Sequence, residues 1–385
     1  GEGCLSTCRL REPAAGMLRL GIACGVGGVL AGLPLARLVR WLRLNVPARP
    51  STPFPLLSHS EWGEALARHG DRGMFALFSS VTGGVTTDAA LMTVPIDDHI
   101  IVRGHAVFDT VTLCNGRLYR LTIHLERLLK SAESARLRLP FGDDPQHNKE
   151  RMRDAIESAC VAADRQDADV RFWLSAGPGN LGVTPAGCTP AFYVLVFGGL
   201  PSDPTWTTEG ISEVTVPLEE VPVKPKLLAE LKSTNYMLNA LTSMAARDRG
   251  GTFGLAVDNG GMLMEACTLN VVAIGTDGVM RTPPFDNILA GTTVRRAMQL
   301  ADSLVSSGDL TAVSQEPLAL KQAYAAKELF LVAGDTHLYP ITRLDGKPIG
   351  DGGVGPISRQ LMQLLTNDAR TGEDCHHDIP ALCRK

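Results

Sequence analysis

The sequence has almost no net charge, −4 over 385 residues, so its electrostatics give no reason to expect nucleic acid as a partner. It also lacks a cysteine framework. Cys4, Cys8, Cys24, Cys114, Cys160, Cys188, Cys267, Cys375 and Cys383 are scattered and odd in number, which suits a reducing compartment better than a disulfide-stapled secreted fold. Lysine is missing from residues 1–49, where seven arginines face only two acids, Glu2 and Glu12. Nor is there a long unbroken apolar run. Leu20–Ala36 is uncharged, but five glycines and Pro34 weaken it as a helix, and it falls short of the about 20 residues that span a bilayer.

What is present is the composition of a globular protein, 44% apolar and 20% charged, long enough for two domains. Residues 1–55 read as a leader and proline-rich linker, with Pro47, Pro50, Pro53 and Pro55 at its end. An arginine-rich, acid-poor leader has the composition of an organelle transit peptide. The alternative is an anchor, in which residues 15–45 attach the chain to a membrane or a protein complex. Residues 56–78 make a short extension with a helix at Glu61–His69. At the far end, residues 371–385 form a tail. There Cys375, His376, His377 and Cys383 either make a metal cluster or, with no second closely spaced ligand pair, belong to an unstructured terminus; no metal is expected.

Between these ends the pattern is that of an α+β or α/β protein. Residues 79–199 read as a small α/β domain in which Asn115-Gly116 joins Phe108–Leu113 to Arg117–Leu121 as a hairpin. Leu121, Leu125, Leu128 or Leu129, and Ala132 share one helix face; Met152–Ala163 is a second helix, and Val170–Ser175 and Phe192–Phe197 are strands. Residues 200–204 are a linker. Residues 205–370 read as a larger domain built on an antiparallel sheet with flanking helices, its strands at Leu255–Val257, Met262–Glu265, Asn270–Ile274 and Val279–Arg281. Gly291-Thr292-Thr293 opens a helix whose inner face is Val294, Ala297 or Met298, Ala301, and Leu304 or Val305. Such a start is either a plain cap or an anion site made of free amides, hydroxyls and the positive dipole end.

Lys232 is followed by Ser233, Thr234, Asn235 and Tyr236, and then by the helical spacing Leu238, Leu241, Met244, Ala245, which ends at Gly250-Gly251. A lysine on a partly buried connection loses hydration, which lowers its pKa and frees a neutral amine to attack a carbonyl. Taken alone, a lysine is ordinarily a solvated surface residue.

Five runs in order change that balance: RGHAVFDT at Arg103–Thr110, HLERLLKSA at His124–Ala132, KSTNYMLN at Lys232–Asn239, MEACTLN at Met264–Asn270 and ILAGTTVRR at Ile288–Arg296. Together they resemble the fold-type IV pyridoxal-phosphate enzymes, which include branched-chain L-aminotransferases, D-amino-acid aminotransferases and aminodeoxychorismate lyases. The likeness runs from about Ser79 to about Leu365. Through RFWLSAGPG, FDNILAG and PIGDG it is nearest to the plant-type D-amino-acid aminotransferases.

The resemblance implies a set of roles. Lys232 would hold pyridoxal 5′-phosphate as an internal aldimine and move the substrate Cα proton. Glu265 would face the pyridine nitrogen, and Tyr236 would donate to the cofactor's phenolic oxygen. Arg127, which lies off its helix's apolar stripe and so equally suits the surface, would grip the phosphate with Thr292 and Thr293. Asn270 would support them from behind. On the substrate side, Arg171 would reach acidic groups. His105 either stands where a neighbouring subunit's loop is expected or makes a turn-stabilising hydrogen bond. The loop Gly177–Gly182 lacks the Arg and His with which bacterial D-aminotransferases trap the α-carboxylate, and Gly334-Asp335-Thr336 resembles another substrate-side segment. The expectation is a homodimeric aminotransferase that uses a D-amino acid and a 2-oxo acid, located in an organelle, chloroplast before mitochondrion. Aminodeoxychorismate lyase, branched-chain L-aminotransferase and a non-catalytic tethered subunit are the alternatives.

Overall fold

A computed structural model describes residues 52–68, 73–199, 202–334, 336–372 and 376–383. The transit peptide or anchor expected at residues 1–50, linker residues 200 and 201, Asp335 and Cys375 lie outside the described residues. The chain divides into two units, residues 1–59 and 60–385, and the site lies in the second. Helix α1 (His59–Ala67) buries none of its residues.

The first sheet is built from β1 (Met74–Ser79), β2 (Gly84–Thr86), β3 (Ala106–Cys114), β4 (Arg117–Tyr119), β5 (Ala168–Ser175) and β6 (Ala191–Phe197). Its order is β4-β3-β5-β6-β1-β2, and every pairing is antiparallel. Asn115 and Gly116 adopt φ 53° and 72°, the left-handed pair that a tight hairpin matched to strand twist requires. Leu121, expected at the end of β4, instead opens helix α2 (Leu121–Ser134), which buries Leu121, Leu125, Leu128 and Ala132. Helix α3 (Pro145–Ala163) begins seven residues before Met152, because Asp144 caps it and Pro145 suits its first turn. The core between α2, α3 and the sheet is formed by residues such as Leu125, Leu128, Ile156, Phe172 and Val194.

The second half holds β7 (Ile211–Glu213), β8 (Thr215–Pro217), helix α4 (Met237–Asp248), β9 (Leu255–Val257), β10 (Leu263–Ala266), β11 (Asn270–Ile274), β12 (Val279–Thr282), helix α5 (Thr292–Ser306), β13 (Ala312–Gln315), β14 (Glu328–Val332), β15 (Leu338–Leu344), β16 (Lys347–Pro348) and helix α6 (Pro356–Thr371). The single antiparallel sheet expected here is in fact two mixed sheets. Strands β13-β12-β11-β14-β15-β16 make one, with β7 beside β15, and β10-β9-β8 make the other. Pairs β12–β13, β7–β15 and β8–β9 are parallel. The central strands are covered on both faces: Val271, Ala273, Leu329 and Leu331 pack on one side, and Val272, Ile274, Phe330 and Val332 meet Val294, Ala297, Ala301 and Leu361 on the other.

One helix lies where its spacing predicts but buries other residues than the apolar ones, and one expectation, for the tail, needs correction. Helix α4 buries Asn239, Thr242 and Ala246, with Leu238 and Ala245 partly buried against Val216 and Val221, while Leu241 and Met244 face outward. It packs against Val216 of β8 and Val214 just before that strand. The tail is not unstructured throughout: β17 (His376–Asp378) extends the first sheet beyond β4, with Arg117 paired to Asp378 and His377 to Glu157. Among the described residues, no group of His, Cys, Asp and Glu is placed to hold a metal, and Cys114, Cys160, Cys188 and Cys267 are free.

Candidate active site

Strand β3 organises the site. The Phe108 amide donates to the Lys232 carbonyl at 2.8 Å, Val107 bridges Ser233, and the Thr234 amide donates to the Ala106 carbonyl at 3.0 Å. Lys232 is thereby laid along a strand edge, between a short helix at Lys226–Glu230 and α4. The RGH turn locks the next residues: the Gly104 carbonyl accepts from Thr234 Oγ1 at 2.9 Å and from Asn235 Nδ2 at 3.1 Å. Gly104 sits at φ +62°, and a Cβ there would meet Asn235 Oδ1 at 3.0 Å.

The Lys232 Nζ lies 4.8 Å from the Phe108 ring centre. Burial, with Arg127 close by, brings its ammonium down to about 8, against the opposing pull of Asp109 and Glu265. Tyr236 meets Phe108 edge to face at 5.2 Å, and burial with Glu265 nearby raises its hydroxyl pKa well above the ordinary phenol range.

Asp109, within RGHAVFDT but given no role from sequence, is fully buried and holds three groups. Arg127 embraces it with Nε at 2.8 Å and Nη2 at 2.7 Å, His124 Nδ1 lies 2.9 Å from it, and the Thr110 amide donates at 2.8 Å. Burial alone would raise this carboxyl's pKa, but Arg127 and His124 outweigh it and hold Asp109 far below the usual range. Burial lowers the His124 pKa in spite of Asp109, so the neutral ring donates from Nδ1. A signal for Asp109 was present: it interrupts the alternating inward set Val107, Val111, Leu113, where a carboxylate needs a cation.

Arg127 is only 15% exposed, and its Nη1 reaches the Ala290 carbonyl at 3.3 Å. The segment after Ala290 forms the start of α5, where Thr292 and Thr293 are buried and no side chain caps the helix. Asn270 Nδ2 donates to the Leu289 carbonyl at 3.0 Å, and its Oδ1 would lie 2.0 Å from a Cβ on Gly291. Asn270 therefore shapes this turn from behind. At the other end of the segment, the Leu289 amide donates to Glu265 Oε2 at 3.1 Å. Burial raises the Glu265 pKa, opposed first by Lys224, whose Nζ stands 3.5 Å from Oε1. Lys224 lies outside the motifs, whereas Asp109 and His124 lie inside them without an assigned role. Leu289 and Ala290, two neighbouring residues at the head of the 289–293 segment, thus connect Glu265 to Arg127.

Arg171 on β5 donates from Nε to Thr110 Oγ1 at 3.0 Å and lies between the Phe108 and Phe197 rings, so it shares the Phe108 side of the site. His105 Nε2 lies 2.9 Å from the Ala135 carbonyl at the end of α2, a hydrogen bond of the kind that is one of the two readings of this residue. Arg103 reaches the Gly177–Gly182 loop, donating to the Leu181 carbonyl at 2.7 Å and the Gly182 carbonyl at 3.1 Å. Among the described residues, no helix is long and apolar enough to cross a membrane.

Against known proteins, residues 106–344 match the family Amino-transferase class IV. The chain is 36% identical over 321 residues to the chloroplastic D-amino-acid transaminase of Arabidopsis thaliana, covering 83% of each. It is 25% identical to a D-alanine aminotransferase of Listeria monocytogenes, over 72% of this chain and 91% of that one. A solved branched-chain amino acid aminotransferase from Escherichia coli shares the fold, with a TM-score of 0.66 and 23% identity over 80% of this chain and 99% of that one. The chain belongs to the class IV aminotransferases, enzymes that transfer amino groups with pyridoxal 5′-phosphate.

Proposed function

We propose that this chain moves the amino group of a D-amino acid to a 2-oxo acid, with Lys232 as the residue that carries the cofactor. The observation that supports this substrate class is the 36% identity over most of both chains to a D-amino-acid transaminase. The residues present suit pyridoxal phosphate. A buried amine stands ready for its aldehyde, a buried carboxylate for its ring nitrogen, and an arginine beside an uncapped helix start for its phosphate. Bound there, the cofactor supplies a sink for the electron pair left when the substrate Cα loses its proton.

Each residue then has a task. Arg127, pinned on two nitrogens by Asp109, presents Nη1 toward the Ala290–Thr293 turn, where Thr292 and Thr293 would complete the phosphate grip. Glu265 would keep the ring nitrogen protonated. The Tyr236 hydroxyl, which burial keeps protonated, would donate to the phenolic oxygen. Lys232 Nζ, its ammonium pKa lowered by burial to about 8, would take the proton from Cα and return it on the cofactor side. Arg171, steadied by Thr110, would meet the substrate carboxylate.

Cofactor-free protein mixed with pyridoxal phosphate should gain the visible absorbance of the lysine-bound cofactor, faster as pH rises through about 8, because the neutral amine is the nucleophile. Lys232→Ala should gain none, and absorbance that survives that substitution would sink the assignment. The same reading makes the protein a homodimer; an active chain that elutes as a monomer in size measurement would contradict it. An organelle, chloroplast before mitochondrion, is the proposed location, supported by the arginine-rich leader and the chloroplastic relative. Localisation of the tagged full-length protein elsewhere would refute it.

A further inference from the structure

We propose that Lys224 is a positioning residue for Glu265, holding that carboxylate ionised and fixed in place. The inference rests on the reading above, in which Glu265 faces the cofactor's ring nitrogen.

The geometry is that of a built pair. Lys224 Nζ lies 3.5 Å from Glu265 Oε1, and the two side chains are 12% and 14% exposed. Oε2 takes the Leu289 amide at 3.1 Å. Each carboxylate oxygen therefore has one defined partner, which fixes the plane of the group. Lys224 Nζ also stands 5.3 Å from the Tyr236 ring centre, so one ammonium reaches two of the side chains assigned to the cofactor. It arrives through a small cavity of about 40 Å³ lined by Lys224, Glu265, Asn239 and Cys267, and bordered by neither Lys232 nor Arg127.

A carboxylate in this setting needs such a partner. Burial favours the neutral acid, and a neutral Glu265 could not hold a proton on a ring nitrogen. The charged and titratable groups that face Glu265 are Lys224, Lys232 and Tyr236, with the Leu289 amide beside them. Lys224 is the strongest of those that favour the ionised form, and Lys232 the weaker. Tyr236 stays protonated through the working range and contributes no compensating charge. Removing the Lys224 cation shifts Glu265 titration to higher pH; an arginine in its place preserves the charge.

The test is a titration of the full-length, cofactor-free chain labelled with 13C at glutamate carboxyls, the Glu265 signal being identified by its loss in Glu265→Gln. The expected result is that Lys224→Met and Lys224→Gln move the Glu265 midpoint to higher pH, while Lys224→Arg leaves it near the parent value. In protein loaded with ring-15N pyridoxal phosphate, the nitrogen signal should move toward the unprotonated position in Lys224→Met and return in Lys224→Arg. A Glu265 midpoint unmoved by either neutral variant, or moved equally by Lys224→Arg, would overturn the proposal. Lys224→Gln keeps a hydrogen-bonding chain of similar length, so the comparison survives if Lys224→Met does not fold. A chain that takes up no pyridoxal phosphate would refute the functional reading, yet the cofactor-free midpoints would still decide the role of Lys224.

Discussion

Asp109 sits at 0% exposure between an arginine on α2 and a neutral histidine one turn earlier on the same helix. Its burial is tolerable because Arg127 supplies two charge-assisted hydrogen bonds, and Arg127 in turn owes its orientation to that grip. Replacing Asp109 with Asn leaves a largely buried guanidinium without its counter-charge. We expect a loss of about 3–5 kcal/mol of stability in urea unfolding near neutral pH, because breaking one side of a buried pair strands the other. The folded-state pKa of Asp109 is depressed, so its contribution is complete above the unfolded carboxylate range and is lost as pH falls toward the folded value. The gap between parent and Asp109→Asn should therefore narrow in acid; a gap that is constant with pH would mean the charge is not what stabilises. These contacts were half legible. The sequence marks the run that contains Asp109 and the helix that carries Arg127. It does not show that the two meet, because that depends on the β3–α2 crossing.

At the scale of elements, the start of α5 shows how a turn can be specified from behind. Asn270 on β11 presses against Gly291 and ties the Leu289 carbonyl, so a Cβ at Gly291 has no room. Gly291→Ala should cost about 1–3 kcal/mol through overpacking and weaken pyridoxal phosphate binding in a fluorescence titration. Gly63→Ala, with nothing within 4 Å of its added Cβ, should leave that binding unchanged. Equal cofactor affinity in the two variants would show that the turn does not depend on this fit. Helices with a wide apolar face were readable in sequence: α2 and α5 bury the residues their spacing marks. Helix α4 was readable in its span but not in its buried side, which is Asn239, Thr242 and Ala246, residues that carry little hydrophobic signal.

For the whole molecule, strands β14 and β15 were missed for a related reason. Strand β14 is buried on both faces and so lacks alternation, β15 carries Pro340, half-buried Thr342 and exposed Arg343 within its apolar residues, and the two meet β11 and β7 only through long crossovers. The fold then brings β3, the Lys232 connection, the 289–293 segment and Glu265 together, from parts of the chain far apart in sequence. That convergence was legible only through the ordered motifs, because no local pattern states which loops share a pocket. The most direct test of the account is to give the loaded enzyme 15N-labelled D-alanine or L-leucine with 2-oxoglutarate and resolve the glutamate formed by chiral chromatography. The account predicts 15N-D-glutamate from D-alanine, abolished by Lys232→Ala. Labelled L-glutamate from L-leucine, with none from the D-donor, would contradict it.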